Sequence, residues 1–558
     1  MNAATEIAVQ NLDHLGLVAG LIDEIGIVET INQLVGSQPG EIVSSGQAVK
    51  AMLLNGLGMV SAPLYLFSKF FEGKACEHLI GEGIQPEHLN DDRLGRVLDK
   101  LYLIGTSQIF TQIALAAAQK FQIALDTVHL DSSSFHLHGE YYSSALPVVL
   151  SPGQINREQS EIAAINYLES PLPIAITYGY SRDHRPDLKQ FILDIICSGD
   201  GDVPLFLRVG SGNEADSAVF GRILQEFKQQ LNLDSLMVAD SALYTATNLE
   251  LLTSCRWLSR VPLSLKQAQQ LVSQLDETDF INSSSPGYRW SEHKSNYGGV
   301  AQRWLVVESA SRRESDLRSL EKNIAKAHLE SQKKLRELST IEFACETDAI
   351  AAVNRLDKQL KYHCLTQIKI VKVAAKRQGS GANSTATANE IFKIKAQLES
   401  DPGLIAQHQR ASGRFILATN VMEVNQLTPE QMITKYKEQQ ACERGFGFLK
   451  DPQFFTDSLF LKSPERIEAL ALVMGLCLLV YTLGQRYLRQ SLAQTKSTVK
   501  NQLGKATNRP TLRWIFQCFQ SIHYLKSHQI NQISNLTAER KRLLNLFPVK
   551  SRSYYLLL

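Results

Sequence analysis

The sequence has no C-x-x-C pair, and its eight cysteines are scattered. That spacing argues against a zinc site or a redox dithiol. Cys197 and Cys477 sit in apolar runs, where cysteine behaves as a small hydrophobe, so a reducing, cytoplasmic setting is expected. An excess of either charge is missing too. The 58 basic residues nearly cancel the 56 acidic ones, and a net charge of +2 says almost nothing about a nucleic-acid partner. Met1 to Gln10 lacks the basic and apolar regions of a signal peptide. The most apolar stretch, Ala469 to Leu483, stops short of the ~20 residues that a membrane helix needs. It reads as a buried helix packed against a sheet.

What is present is an ordinary 44% hydrophobic content over 558 residues, which is enough for several packed domains. Charge bias is local. Lys361, Lys369, Lys372, Lys376 and Arg377 form one run without an acid, and Arg540, Lys541, Arg542, Lys550 and Arg552 form another. Such runs are usually solvated faces, with phosphate contact the sharper alternative.

The densest pattern is Tyr436-Lys-Glu-Gln439-Gln-Ala-Cys-Glu443-Arg-Gly-Phe-Gly-Phe-Leu-Lys450. Thr428-Pro429-Glu430-Gln431 announces a helix with a capping box and a proline in its first turn. Counted from Tyr436, Gln439, Glu443 and Lys450 then fall on one helical stripe at about 100° per residue. An acid, an amide, an aromatic and a lysine on one face are expected to serve metal and phosphate chemistry. Two further acids stand upstream. Asp131 follows the alternation Val128-His-Leu130, as on a half-buried strand, or else begins a turn into the serine run. Asp240 ends the apolar run Leu236-Met-Val-Ala, at the carboxyl end of a buried strand, where α/β sheets bind ligands. A helix-capping aspartate would look similar.

The spacing Y-x2-(R)-x3-E-x6-K resembles the signature of the IS4-like group of DDE transposases, and YKEQQACERGFGFLKDP looks most like the IS1634 family. Asp240-Ser-Ala242-Leu-Tyr244 resembles that group's second acidic motif, and Tyr180 to Gln190 is also family-like wording. One departure is Gln439 where the broader group has arginine, which exchanges a guanidinium fork for a neutral amide. The resemblance implies an RNase H-like α/β core with a mixed sheet. It also implies that Asp131, Asp240 and Glu443 are catalytic and hold two Mg²⁺ ions, for which Mn²⁺ can substitute. The partners it implies are the terminal inverted repeats and target DNA, bound by a homodimer in a bacterial, nucleoid-associated setting. Tyr436, Gln439 and Lys450 are expected at the DNA, and Trp290 or Trp304 on an extruded base, unless those tryptophans fill their own domain's core.

The order of elements fits that core. A helix across Gln108 to Ile123 precedes the Asp131 strand. Ile174 to Tyr178 reads as the second strand, and Phe191 to Cys197 or Val203 to Leu207 as the third. Asn213 to Asp216 caps a helix to about Leu231, the Asp240 strand follows, and Arg256 to Val261 is the fifth. Roughly 200 residues separate Asp240 from Glu443, too many for a structureless loop, so a folded insertion is expected. It should hold a β-hairpin turning at Gly298-Gly299, a helical hairpin built on Leu317 to Leu338 and Val353 to Leu360, and a strand at Ile368 to Ile370. The expected parts are a helical N-terminal domain (1–105), the first part of the core (106–262), the insertion (263–411), the second part of the core (412–490) and a basic helical C-terminal region (491–558). The N-terminal domain suits end recognition or oligomerisation. Two other readings stand beside a transposase: a domesticated, catalytically silent DNA-binding protein, and a stand-alone RNase H-like nuclease. The three intact acids weigh against the first, and the long insertion against the second.

Overall fold

A computed structural model describes residues 7–36, 40–59, 62–141, 172–231, 234–374, 390–452, 461–527 and 531–557. The expected flexible loop from Gln378, and Lys376 and Arg377 of the first basic run, lie outside the described residues. The chain divides into two units: Met1–Leu258 with Thr434–Leu558, and Ser259–Ile433.

In the first unit a short strand, β1 (Ala8–Asn11), precedes a helical region that includes Leu15–Ile25, Ile27–Val35, Ser45–Gly56, Asp91–Ile104 and Thr106–Lys120. Ser44 and Gln47 form a full capping box at the third of these. The sheet begins with β2 (Thr127–Leu137), followed by β3 (Lys189–Ser198), β4 (Pro204–Ser211), β5 (Leu236–Ala239) and β6 (Arg256–Val261). Their spatial order is β4-β3-β2-β5-β6. β2 pairs antiparallel with β3 and parallel with β5, and β3 pairs antiparallel with β4. Three antiparallel strands followed by a parallel fourth, reached through helix Asp216–Leu231, give the RNase H-like core.

The second strand of this core is β3, where the alternation at Ile174 to Tyr178 predicted one. That segment has a single bridge, Thr177 to Gln190, and no strand. The buried stretch Phe191–Cys197 instead pairs on both edges. Behind the sheet runs the 31-residue helix Pro464–Gln494. It is long and apolar enough to cross a membrane, yet 83% of its most apolar window is buried inside the protein.

Distant parts of the sequence close the first unit. β1 pairs antiparallel with His523–Lys526. The Tyr555 hydroxyl donates to the Asp13 carbonyl at 2.5 Å and accepts from the Leu17 amide at 3.2 Å. A Cβ on Gly20 would lie 2.2 Å from the Ser551 Cα, so the helix carrying Gly20 meets Val549–Ser553 backbone to backbone. The C-terminal region also holds short strands, where a helical region was expected.

The second unit contains the expected hairpin. β8 (Tyr288–Tyr297) and β9 (Val300–Ser309) are joined by Gly298 and Gly299, both at positive φ, as a two-residue turn of this hand requires. β7 (Ile281–Asn282) flanks β8. The helices Ala310–Thr340 and Glu346–Asp357 form the expected helical pair. A long ribbon follows, made of β10 (His363–Ala374) and β11 (Glu390–Ser400). One face of the ribbon packs Leu365 and Ile394 against Leu338, Val353 and Leu356. β12 (Arg414–Thr419), the strand expected to re-enter the core, pairs antiparallel with β9. Arg414 explains its place there. Its guanidinium is buried on the Glu308 carboxylate at 2.9 Å and donates to the Val272 and Leu275 carbonyls.

Candidate active site

Asp131 sits midway along β2. The parallel register Leu130↔Ala239 places it beside Asp240, the residue that follows β5. Each carboxylate is oriented locally. Asp131 accepts from the Ser132 amide at 2.9 Å, and Asp240 accepts from the Ala242 amide at 2.9 Å. Glu443 lies in the first turn of helix Gln440–Leu449 and is exposed. That helix is fixed to the sheet by Cys442, whose thiol donates to the His129 carbonyl at 3.1 Å. Gly445 lets it come close to the long helix Pro464–Gln494, because a Cβ there would stand 3.2 Å from Leu478.

The Asp131 carboxyl feels the charge of both other acids. Burial pushes the Asp131 carboxyl up to about 7. The Ser132 amide opposes the shift, the Asp240 charge adds to it, Arg182 opposes it and Glu443 adds to it. The Arg182 guanidinium lies 4.0 Å from Asp131 and is also paired with Asp216. Among the described residues, no three His, Cys, Asp or Glu side chains are gathered closely enough to hold a metal ion as they stand. The donor chemistry still suits a hard divalent cation. The donors are three carboxylates from two adjacent strands and one docked helix, and the charges of Asp240 and Glu443 raise the proton affinity of Asp131.

The expected single helix from Thr428 to Lys450 is two helices, Pro429–Lys437 and Gln440–Leu449. The capping box at its start is present: Thr428 Oγ1 accepts from the Gln431 amide, and Gln431 Oε1 from the Thr428 amide. The break falls at Glu438 and Gln439, and the second helix runs unbroken through Gly445 and Gly447. Tyr436 and Gln439 therefore do not continue the Glu443 stripe. Gln439 is buried at the break, with 8% of its surface exposed, and makes no capping hydrogen bond. Tyr436 is half-buried on the first helix. Lys450 ends the second helix, 2.6 Å from the Asp183 carboxylate and 5.4 Å above the Phe135 ring.

The tryptophans differ. Trp304 is 1% exposed on β9, with its Nε1 donating to Gln302, so it has no free face for a base and belongs to its own unit's core. Trp290 is half-buried, and its Nε1 donates to Glu430 at 2.9 Å. His136 lies 3.6 Å from Asp183 and shares a hydrogen bond with the Ser181 hydroxyl, and burial lowers its pKa.

Sequence reasoning missed the polar line behind Asp131. Ser132, Asp194 and Arg208 stand opposite one another across β2, β3 and β4. The Ser132 hydroxyl donates to Asp194, and Arg208 pairs with Asp194 at 2.7 Å and with Glu214 at 2.7 Å. Asp194 is wholly buried, and an acid inside Phe191-Ile-Leu-Asp-Ile-Ile was the available signal. Arg182 lay in a segment already singled out, but no spacing linked it to Asp131.

Residues 128–481 match the family model described as "Transposase DDE domain", and residues 7–115 match "Domain of unknown function (DUF4277)". No curated protein matches the chain. Among solved structures, a "Cryo-EM structure of piggyBac transposase synaptic complex with hairpin DNA" aligns at 9% identity and a TM-score of 0.36. That alignment covers 98% of this chain and 84% of the other.

Proposed function

Since the chain belongs to the transposase DDE domain family, and is thus a DNA transposase, we propose that it cuts and joins DNA at the ends of its own insertion sequence, with Asp131, Asp240 and Glu443 as the catalytic acids. The observation that carries this reading is the register that sets Asp131 beside Asp240, with the charge of Glu443 reaching Asp131. When bound there, two Mg²⁺ ions would supply Lewis-acid polarisation of the scissile phosphate and activation of the attacking oxygen. The protein's part is positional. β2 and β5 hold two carboxylates side by side, and the Cys442 anchor and the close approach at Gly445 fix the helix that presents the third. Cleavage and joining are both in-line displacements at phosphorus, in which one P–O bond forms as another breaks. One set of acids therefore serves both steps.

The finer assignments belong to the same proposal. The subgroup is IS1634-like within the IS4-like transposases. The DNA partners are terminal inverted repeats and target DNA, bound by a homodimer. The helical N-terminal domain (1–105) recognises the ends, and Lys450 and Tyr436 lie along the DNA path.

The test replaces each acid in turn. Asp131→Ala, Asp240→Ala and Glu443→Ala should each reduce single-turnover cleavage of end DNA in Mg²⁺ or Mn²⁺ by several orders of magnitude. Binding to the same DNA in Ca²⁺ should persist, and melting in metal-free buffer should stay level or rise as repulsion is relieved. A variant that cuts at near the unmodified rate removes its residue from the site.

A further inference from the structure

The first basic run plays no part in the acid site, and its described portion builds most of β10. The ribbon's antiparallel register sets Lys369 directly opposite Lys395, with Val371 opposite Lys393. A register shift between Thr366 and Lys369 brings this about, because it carries Lys369 outward while Ile370 and Ile394 turn to the helical pair. Both Lys369 and Lys395 are exposed, and neither has an ion-pair partner among the described residues. Their neighbours are answered: Lys372 pairs with Glu390, and Lys393 with Glu342 at 3.0 Å. Like charges directly opposite on a ladder destabilise it. A merely solvated face gains nothing from that arrangement, whereas a polyanion laid across it would relieve the repulsion.

We infer that the outer face of the β10–β11 ribbon seats the sugar–phosphate backbone of duplex DNA, with Lys369 and Lys395 each neutralising a phosphate. A two-stranded ribbon is of the right width for the major groove of a duplex. The outward residues beyond the register shift, Lys369, Val371, Val373, Ile391, Lys393 and Lys395, include no aromatic on which unpaired bases would stack, which favours a duplex over a single strand. The inference rests on the transposase reading but is separable from it, because it concerns binding rather than cleavage.

The experiment measures the affinity of the full chain for a short duplex of unrelated sequence across a range of salt concentrations. Lys369→Ala with Lys395→Ala should flatten the dependence of log affinity on log salt by about two units, at roughly 0.9 per phosphate contact. Lys395→Glu places opposite charges across the ladder. It should melt at least as high as the unmodified protein and yet bind duplex more weakly than Lys395→Ala. An unchanged salt slope in the double variant, or duplex binding by Lys395→Glu equal to that of the unmodified chain, overturns the inference and leaves the transposase reading standing. Loss confined to single-stranded DNA also overturns it. An unmodified chain without salt-dependent duplex binding overturns both.

Discussion

At the scale of single residues, the three candidate acids stood out because each breaks a local pattern. Asp131 interrupts a half-buried alternation, Asp240 ends an apolar run, and Glu443 follows a capped helix start. Trp304 was not legible in the same way, since a tryptophan on a strand reads equally as a surface platform or as core, and only its packing settles which. Glu468 was also hidden, as one acid before a long apolar helix. Burial raises its carboxyl to about 7, partly opposed by the Thr106 hydroxyl, which donates at 3.0 Å, and by Arg208, while Glu465 adds to the shift. The native state therefore holds this proton more tightly than the unfolded chain does. Its stabilising share is complete below the unfolded value of 4.5 and is lost as pH rises through about 7. Glu468→Gln should consequently raise stability by roughly 1–3 kcal/mol at pH 8 and change little at pH 4. Denaturant melts at the two pH values check this, and an equal effect at both would exclude a charge origin.

At the scale of elements, the order of strands and helices could be read from the sequence, but the break at Glu438-Gln439 could not. Neither residue is a helix breaker, and the glycines that looked threatening lie inside the second helix. Their environments differ. A Cβ on Gly445 would press on Leu478 at 3.2 Å, whereas one on Gly447 meets nothing within 4 Å. Gly445→Val should push the helix away from Leu478 of the long helix Pro464–Gln494 and displace Glu443. Cleavage should fall by about a hundredfold, as misplacements near 1 Å can cause, while DNA binding is retained. Gly447→Ala should keep the cleavage rate and add up to about 1 kcal/mol of stability, from helix propensity alone. Measuring both variants by single-turnover cleavage and thermal melting separates displacement of the acid from a general loss of fold. Equal rates for the two would deny that the close approach at Gly445 positions Glu443.

At the scale of the molecule, a folded segment between Asp240 and Glu443 was legible from the gap between the two acids. Arg414 to Thr419 looks like any buried strand, and its ladder to β9 is a long-range pairing that no local pattern announces. The closure of the first unit was not legible at all, since no local pattern announces a contact between positions 538 residues apart. The energetic weight of that closure can be measured. Truncation before Val549 removes Ser551, Tyr554 and Tyr555. It leaves Gly16 and Gly20 facing an emptied groove, and the Lys50–Asp23 pair loses the hydroxyl of Tyr554. Such a chain should lose several kcal/mol, in line with deletion of buried aromatics. Limited proteolysis should cut first within residues 7–115, and a melting point equal to that of the full chain would contradict this.

The same closure sets a timetable for synthesis. The helices around Leu17 and Gly20 emerge from the ribosome early, but the segment that covers them emerges only after more than five hundred further residues. At about 5–20 residues per second, those helices wait for roughly half a minute or more with an apolar groove uncovered. An interrupted translation product would carry the helical region without its cover and with no means of completing it.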